Sequence, residues 1–316
     1  MNTSRTIAAE SAVADVTVLL STFNGEAYLQ AQLDSLYAQT YPRMRILARD
    51  DGSSDATPAI LERARAAGRI DVVVGNNNLG PGLSFFELLR VAAAADTSFV
   101  AFCDQDDVWL SEKVERAVAA LSSADAGEAA LYCSRLEIVD ASLDHVGLTP
   151  MPAKTGFGNA LVENVAVGCT IVLNRRAIDL VAGKLPASVL IHDWWCYAVL
   201  SCFGKIVFDA QPSIKYRQHG ANAFGATSAN ARGWGRKLRR FSGSGAGLHW
   251  QSDQAAVFLE SFGDHMPAIE RQLVECFVGA RVSLLKRFSL AASAGIWRQK
   301  PLDDLAQRML ILLNRY

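Results

Sequence analysis

Ser98-Phe99-Val100-Ala101-Phe102-Cys103-Asp104-Gln105-Asp106-Asp107-Val108-Trp109 sets a short apolar run directly against three carboxylates. The run is uncharged and rich in aromatic and aliphatic residues, which predicts a strand buried on both faces. Three acids at its end are costly to hold together, because like charges a few ångströms apart raise one another's pKa unless something positive lies between them. A divalent cation with oxygen ligands, Mg or Mn, is the simplest such partner. On an extended segment residues i and i+2 point the same way, so Asp104 and Asp106 are expected to face one cation. Asp107 is expected to cap the next helix near Glu112.

Upstream, Val16-Thr17-Val18-Leu19-Leu20-Ser21 is a β-branched run ending in the turn cluster Thr22-Phe23-Asn24-Gly25. Residues 26–40 carry apolar positions at helical spacing (Tyr28, Leu29, Leu33, Leu36, Tyr37). Met44-Arg45-Ile46-Leu47-Ala48 predicts a second strand, followed by Arg49-Asp50-Asp51-Gly52-Ser53-Ser54-Asp55 and a helix over 56–67. Asp71-Val72-Val73-Val74 predicts a third strand and residues 84–95 a third helix. Strands alternating with helices predict an α/β fold with a mainly parallel sheet, whose ligands bind at the carboxyl ends of the strands. Thr22, Asn24, Asp50, Asp51 and Asp104–Asp107 all fall at that edge.

The second half is more mixed. Residues 130–138, 167–173 and 205–208 predict strands, 192–203 a helix, and 213–219 an extended segment. Beyond it lies a Gly/Ser/Ala-rich stretch, then a tail from about 248 that is helical by pattern. Boundaries are placed as a tail over 1–14, a main domain over 15–225 and a mainly helical extension over 226–316.

Each polar cluster has a structural and a chemical reading. Asp50-Asp51 can accept from the imide N–H of uracil or thymine or from a ribose hydroxyl, or can be a capping turn of solvated acids. His192-Asp193-Trp194-Trp195 opens a helix. There an acid is favoured by the macrodipole, or acts as a general base beside aromatic rings that exclude water and stack on a sugar. In Arg217-Gln218-His219-Gly220-Ala221-Asn222, His219 can ligate a metal, contact phosphate or be structural. Arg232, Arg236, Lys237, Arg239 and Arg240, with Trp234 and Phe241 interleaved, form either a solvated helix face or a surface for anionic lipid or a pyrophosphate-bearing acceptor.

Together these segments resemble the family 2 glycosyltransferases of the GT-A fold, over about residues 15–225. Thr22-Phe23-Asn24-Gly25 is similar to the first nucleotide-binding loop, Asp50-Asp51-Gly52-Ser53-Ser54-Asp55 to the Asp-Asp-Gly-Ser-x-Asp motif, and Asp104-Gln105-Asp106 to the Asp-x-Asp motif. Asp-Gln-Asp-Asp-Val-Trp, His-Asp-Trp-Trp and Tyr-Arg-Gln-His-Gly-x-Asn resemble the bacterial rhamnosyltransferase-type branch, which builds O-antigen and other surface polysaccharides. The resemblance implies an inverting, metal-dependent, non-processive transferase. Asp106 would be the direct metal ligand, assisted by Asp104 and His219. Thr22, Asn24, Asp50, Asp51 and Asp104 would bind nucleotide, Asp193 would be the catalytic base, and His192, Trp194 and Trp195 would line the acceptor pocket. The donor would be a dTDP- or UDP-linked sugar, such as dTDP-rhamnose. The acceptor would be a saccharide or a polyprenyl-diphosphate-linked one. The Gln-x-x-Arg-Trp motif of processive synthases is absent.

Composition bounds the alternatives. Net charge is −1, which gives no case for nucleic acid. The charge is uneven: the part from Arg232 onward has a net of +6 and the remainder −7. The six cysteines are scattered without a Cys-x-x-Cys pair and read as reduced core residues of a cytoplasmic protein. No signal peptide is evident, and no apolar run approaches the ~20 residues that span a bilayer, so a soluble or peripheral protein is expected. A nucleotidyltransferase acting on sugar phosphates would place a Gly-rich basic loop after the first strand, where Thr22-Phe23-Asn24-Gly25-Glu26 has no base. A dinucleotide oxidoreductase would need Gly-x-Gly-x-x-Gly there. A catalytically inactive nucleotide-sugar-binding module would not need Asp104, Asp106 and Asp193 together.

Overall fold

The computed structural model describes residues 14–73, 75, 77–95, 97–123, 127–186, 191–218 and 249–316. Val74, His219, the basic stretch from Arg232 to Arg240, the tail before Ala14 and the boundary expected at 225 lie outside the described residues. Strands are β1 (Val16–Thr22), β2 (Met44–Asp50), β3 (Asp71–Val73), β4 (Phe99–Cys103), β5 (Val108–Trp109), β6 (Ala130–Ser134), β7 (Glu137–Val139), β8 (His145–Leu148), β9 (Val172–Asn174), β10 (Lys205–Asp209) and β11 (Ile214–Arg217). Helices are α1 (Leu29–Tyr37), α2 (Thr57–Ala66), α3 (Gly80–Ala94), α4 (Lys113–Ser123), α5 (Phe157–Ala160), α6 (Arg175–Ala182), α7 (His192–Phe203), α8 (Trp250–Phe262), α9 (Ala268–Gly279), α10 (Leu284–Ala292) and α11 (Pro301–Leu312).

The main sheet runs β10-β6-β9-β4-β1-β2-β3. Its ladders are parallel except at β9, which pairs antiparallel with β4 and β6. This is the mainly parallel α/β sheet that the alternating pattern predicts. In register, Thr22 lies beside Asp50 and Leu20 beside Cys103, so the ends of β1, β2 and β4 form one edge. Alternation divides the side chains between two cores. Phe99, Ala101 and Cys103 pack with Leu29, Leu33 and Leu36 of α1, whereas Val100 and Phe102 pack with Phe85 of α3 and Trp195 of α7. Both faces are covered, which is why β4 carries no polar residue.

Two expected strands break, and both breaks serve the edge. The run 130–138 divides at Arg135-Leu136, where the chain leaves the main sheet for a smaller one of order β5-β11-β7-β8. The run 167–173 is a 3-10 turn over Gly168–Thr170 before β9 begins. The turn points the Gly168 N–H at α7, as described below.

The helices from Trp250 onward do not stand apart. Phe258, Phe262, Val274, Phe277, Leu290 and Ile311 belong to the same apolar cluster as β4, α3 and α7. Among the described residues no helix is long and apolar enough to cross a membrane.

Candidate active site

Three loops at the carboxyl edge are locked to one another. Gln105 accepts from the Phe23 N–H (2.8 Å) and donates to the Phe23 carbonyl (2.9 Å), joining the β1 loop to the β4 loop. Gly25 is required beneath it, because a Cβ there would overlap the Gln105 carboxamide. Asn24, at φ +46°, accepts from the Ser54 N–H at 2.9 Å, and its own N–H donates to Ser53 Oγ at 2.8 Å. The Glu26 N–H donates to Asp55 while Glu26 accepts from the Ala56 N–H, tying the β1 loop to the start of α2. Gln105 sits between two acids in the sequence, and nothing in the pattern marks it as a clamp. Gln105→Ala is expected to weaken nucleoside diphosphate binding about tenfold by calorimetry. It deletes two hydrogen bonds worth about 1 kcal/mol each that hold the loop. Unchanged affinity would remove the clamp from the site.

Among the expected nucleotide ligands, Asp50 and the exposed Asn24 keep solvent contact. Thr22 is buried and its hydroxyl donates to Asp50 Oδ1 at 3.0 Å. Asp50 also accepts from the Ser53 N–H at 2.9 Å and from the Ser53 hydroxyl. Asp51 differs from its expected role. It is buried, pairs with Arg49, and accepts from the N–H groups of Leu79 and Gly80, both at 2.8 Å. Arg49 in turn donates to Ser84 Oγ and the Asn77 carbonyl. The pair fastens the loop before α3 against β2, so Asp51 holds the edge rather than facing it.

The acid turn also departs from expectation. The chain leaves β4 in a bend rather than an extended strand, so i, i+2 alternation does not hold. The ligand atoms that converge are those of Asp104, Asp107 and Cys169, all within 4.8 Å of one another. Asp107 caps no helix: it is fully buried, accepts from the Arg217 N–H at 3.2 Å, and its second oxygen has no partner among the described residues. Burial, then Asp106 and Asp104, push its carboxyl well above the carboxylate range. Burial, then the neighbouring charges of Asp106 and Asp193, push Asp104 up to about 7. The hard oxygen donors of this cluster fit a divalent cation, which would offset the mutual repulsion of its carboxylates. Burial, then the charges of Asp107 and Asp104, push the Cys169 thiol far above its ordinary value, and a soft thiol suits a hard cation less well than the two carboxylates do.

Two buried cations support the turn from behind. Arg217 donates through Nε to the Asp106 carbonyl at 3.0 Å and through Nη1 to the Ala141 carbonyl, and lies 4.7 Å from the Tyr28 ring centre. Lys113, fully buried, lies 4.3 Å from the Trp109 ring centre and donates to the Thr170 carbonyl. The polar end of β11 hinted at Arg217. No local pattern marks Lys113.

Asp193 lies in the first turn of α7, the place that its helical pattern assigns it. It is 8% exposed, and its Oδ2 accepts from the Gly168 N–H at 2.8 Å. Its other oxygen has no partner among the described residues. Burial pushes its carboxyl up to about 7, against the pull of the Gly168 and Trp194 N–H groups. Gly168 permits the approach, since a Cβ there would come within 2.8 Å of His192 Nε2. The aromatic pocket expected around Asp193 is not an open one. Trp195 is fully buried against Phe258 and Phe262 of α8. Trp194 is nearly buried, donates from Nε1 to the Ala160 carbonyl and meets the edge of Trp250. His192 packs on Phe85 and Phe102, with ring centres 4.1 and 5.0 Å apart, and burial holds its pKa down at about 3. Apolar continuity along α7 directs these rings inward to the core.

Comparison with known proteins gives concordant matches. Residues 17–161 match the family model described as glycosyl transferase family 2. The chain is similar to dTDP-rhamnosyl transferase RfbG of Shigella flexneri, 27% identical over 93% of this chain and 99% of that one. It is also similar to the Escherichia coli UDP-Glc:alpha-D-GlcNAc-diphosphoundecaprenol beta-1,3-glucosyltransferase WfgD. That match is 28% identical over 52% of this chain and 62% of the relative. In structure it resembles S. aureus TarS 1–349 in complex with UDP-GlcNAc, with TM-score 0.56 and 17% identity over 96% of this chain and 89% of that one. The architecture is that of the GT-A transferases, with helices continuing past the sheet.

Proposed function

We infer that this chain, whose residues 17–161 match the family model of the family 2 glycosyl transferases, is a sugar-transferring enzyme. We propose that it moves rhamnose from dTDP-rhamnose, with inversion, to a hydroxyl of a lipid-linked saccharide in the synthesis of a surface polysaccharide such as O-antigen. It would work as a non-processive, cytoplasmic enzyme at the inner membrane face. The donor assignment is supported by the likeness to RfbG along nearly the whole chain. The acceptor class is supported by the likeness to WfgD, a glucosyltransferase whose acceptor is a diphosphoundecaprenol-linked sugar.

The observation that carries the mechanism is the convergence of Asp104 and Asp107 at the end of β4, with Asp193 near enough that its charge adds to the rise of the Asp104 carboxyl. Asp50 accepts from the base or ribose of the nucleotide, at a loop fixed by Thr22, Ser53 and Gln105. Asp104 and Asp107, whose ligand atoms converge at the end of β4, would hold a divalent cation, with Asp106 beside them. When bound, that cation offsets the negative charge gathering on the departing nucleoside diphosphate. Asp193, whose pKa near neutrality suits a general base, takes the proton of the acceptor hydroxyl as that oxygen attacks the anomeric carbon. Attack from the face opposite the leaving diphosphate inverts the configuration.

The test is thermal shift and turnover against dTDP-rhamnose, UDP-glucose and GDP-mannose, each with and without Mn²⁺. A donor at one hundred times its Kd adds about 2.7 kcal/mol of stability. Stabilisation and consumption of dTDP-rhamnose only with Mn²⁺ is expected. Consumption of UDP-glucose with dTDP-rhamnose inert would replace the rhamnosyl assignment. Transfer undiminished by chelation would remove the cation.

A further inference from the structure

The exposed large apolar residues concentrate in the C-terminal helices. Leu285 and Phe288 on α10 are 83% and 63% exposed, and Leu302, Leu305, Met309 and Leu313 form an exposed stripe along α11 and its end. Positions 302, 305, 309 and 313 recur at three- and four-residue intervals, so they share one helical face. That face is not the one that packs inward, which uses Leu290 and Ile311. α10 and α11 lie against one another. An apolar surface of this kind on a polar-rimmed body marks a binding surface.

Charge identifies the occupant. Residues 281–316 hold seven Arg and Lys against two Asp, a net of +5. Lys286, Arg287, Lys300 and Arg315 have no ion-pair partner among the described residues. The segment 219–248 adds five Arg and Lys and no carboxylate. A second copy of this face would bring like charges together, and a basic segment of the same chain would also be repelled. A surface that takes both apolar side chains and cations is the headgroup region of an anionic bilayer.

We propose that the α10–α11 face docks on anionic lipid, seating Leu285, Phe288 and the α11 stripe among the headgroups while Lys286, Lys300 and Arg315 meet lipid phosphates. The proposal deepens the lipid-linked acceptor reading and locates the membrane contact on helices separate from the nucleotide edge. The binding itself needs no donor, cation or turnover.

The test is co-sedimentation of the full chain with vesicles of phosphatidylcholine alone and of phosphatidylcholine with about one-third phosphatidylglycerol, in the absence of nucleotide. Binding to the anionic vesicles, at least tenfold weaker to the neutral ones and weakened by salt, is expected. Leu285→Ser/Phe288→Ser should lose about tenfold or more of that binding with an unchanged melting temperature, because both residues are exposed. Lys286→Gln/Lys300→Gln should lose the preference for phosphatidylglycerol. Wild-type binding by the Leu285→Ser/Phe288→Ser variant would overturn the proposal. So would a dimer in light scattering that this variant dissociates, with no vesicle binding by either protein. Vesicle binding without any donor turnover would leave the proposal standing while the transferase assignment fell.

Discussion

Asp193→Asn is expected to lower sugar transfer by about 10²–10⁴-fold, the usual contribution of a positioned general base, while nucleotide binding stays within about twofold. Asn keeps an oxygen that can accept from the Gly168 N–H, so α7 and the turn at 168 stay joined. What it removes is the proton acceptor. A stability readout separates this from unfolding. The carboxyl is raised from its ordinary value to about 7 by burial, so between about pH 4 and 7 the folded protein holds a proton that the unfolded chain has released. That group's contribution to stability therefore falls as pH rises through this window. Above pH 7 the wild type carries a buried, penalised charge that Asn lacks. At pH 8 the variant should melt at the same temperature or higher. The wild-type kcat/KM should rise about tenfold per pH unit below 7 and level off above it. A variant that transfers at the wild-type rate, or a flat pH profile from 5 to 8, would take the base role from Asp193.

The sheet was legible because its signal is local. β4 is a continuous apolar run, β1 is β-branched, and each ends in a polar turn. The edge that gathers Thr22, Asp50 and Asp104 follows from parallel pairing alone. What the sequence concealed was which acids face outward. Asp50 and Asp51 are adjacent and chemically alike, and only the tertiary contact of Arg49 with Asp51 decides that Asp51 turns inward. The bend after Cys103 likewise gathers Asp104 with Asp107, because a turn abolishes the alternation on which an Asp104–Asp106 pairing rests. Cys169, Lys113 and Arg217 complete the cluster from segments far along the chain, with no local pattern to announce them. The rings of α7 were misread for a related reason: an apolar residue beside a catalytic-looking acid can face substrate or core, and sequence spacing does not choose.

Trp195 decides that choice by experiment. Trp195→Ala is expected to lower unfolding free energy by about 3–5 kcal/mol, the cost of removing a large ring from a filled core. That corresponds to a fall in melting temperature of about 5–8 °C for a chain of this size. The ring is fully buried, with Phe258 and Phe262 of α8 at centroid distances of 5.6 and 6.1 Å. Its indole N–H has no partner among the described residues, so Trp195→Phe discards an unsatisfied donor along with some volume and should cost only about 1 kcal/mol. A ring that stacked on acceptor sugar would behave differently: both variants would melt normally and both would raise the acceptor KM. The expected pattern is a large loss of stability for Ala, a small one for Phe, and acceptor KM unchanged in the folded fraction of each. Because Asp193 is two residues away on the same helix, Trp195 against Phe258 and Phe262 is also how the C-terminal helices hold α7 in place. Urea should therefore abolish transfer in Trp195→Ala at a lower midpoint than in the wild type, coincident with the loss of α8 packing. Retention of activity past that unfolding midpoint would show that Asp193 is positioned without the C-terminal helices.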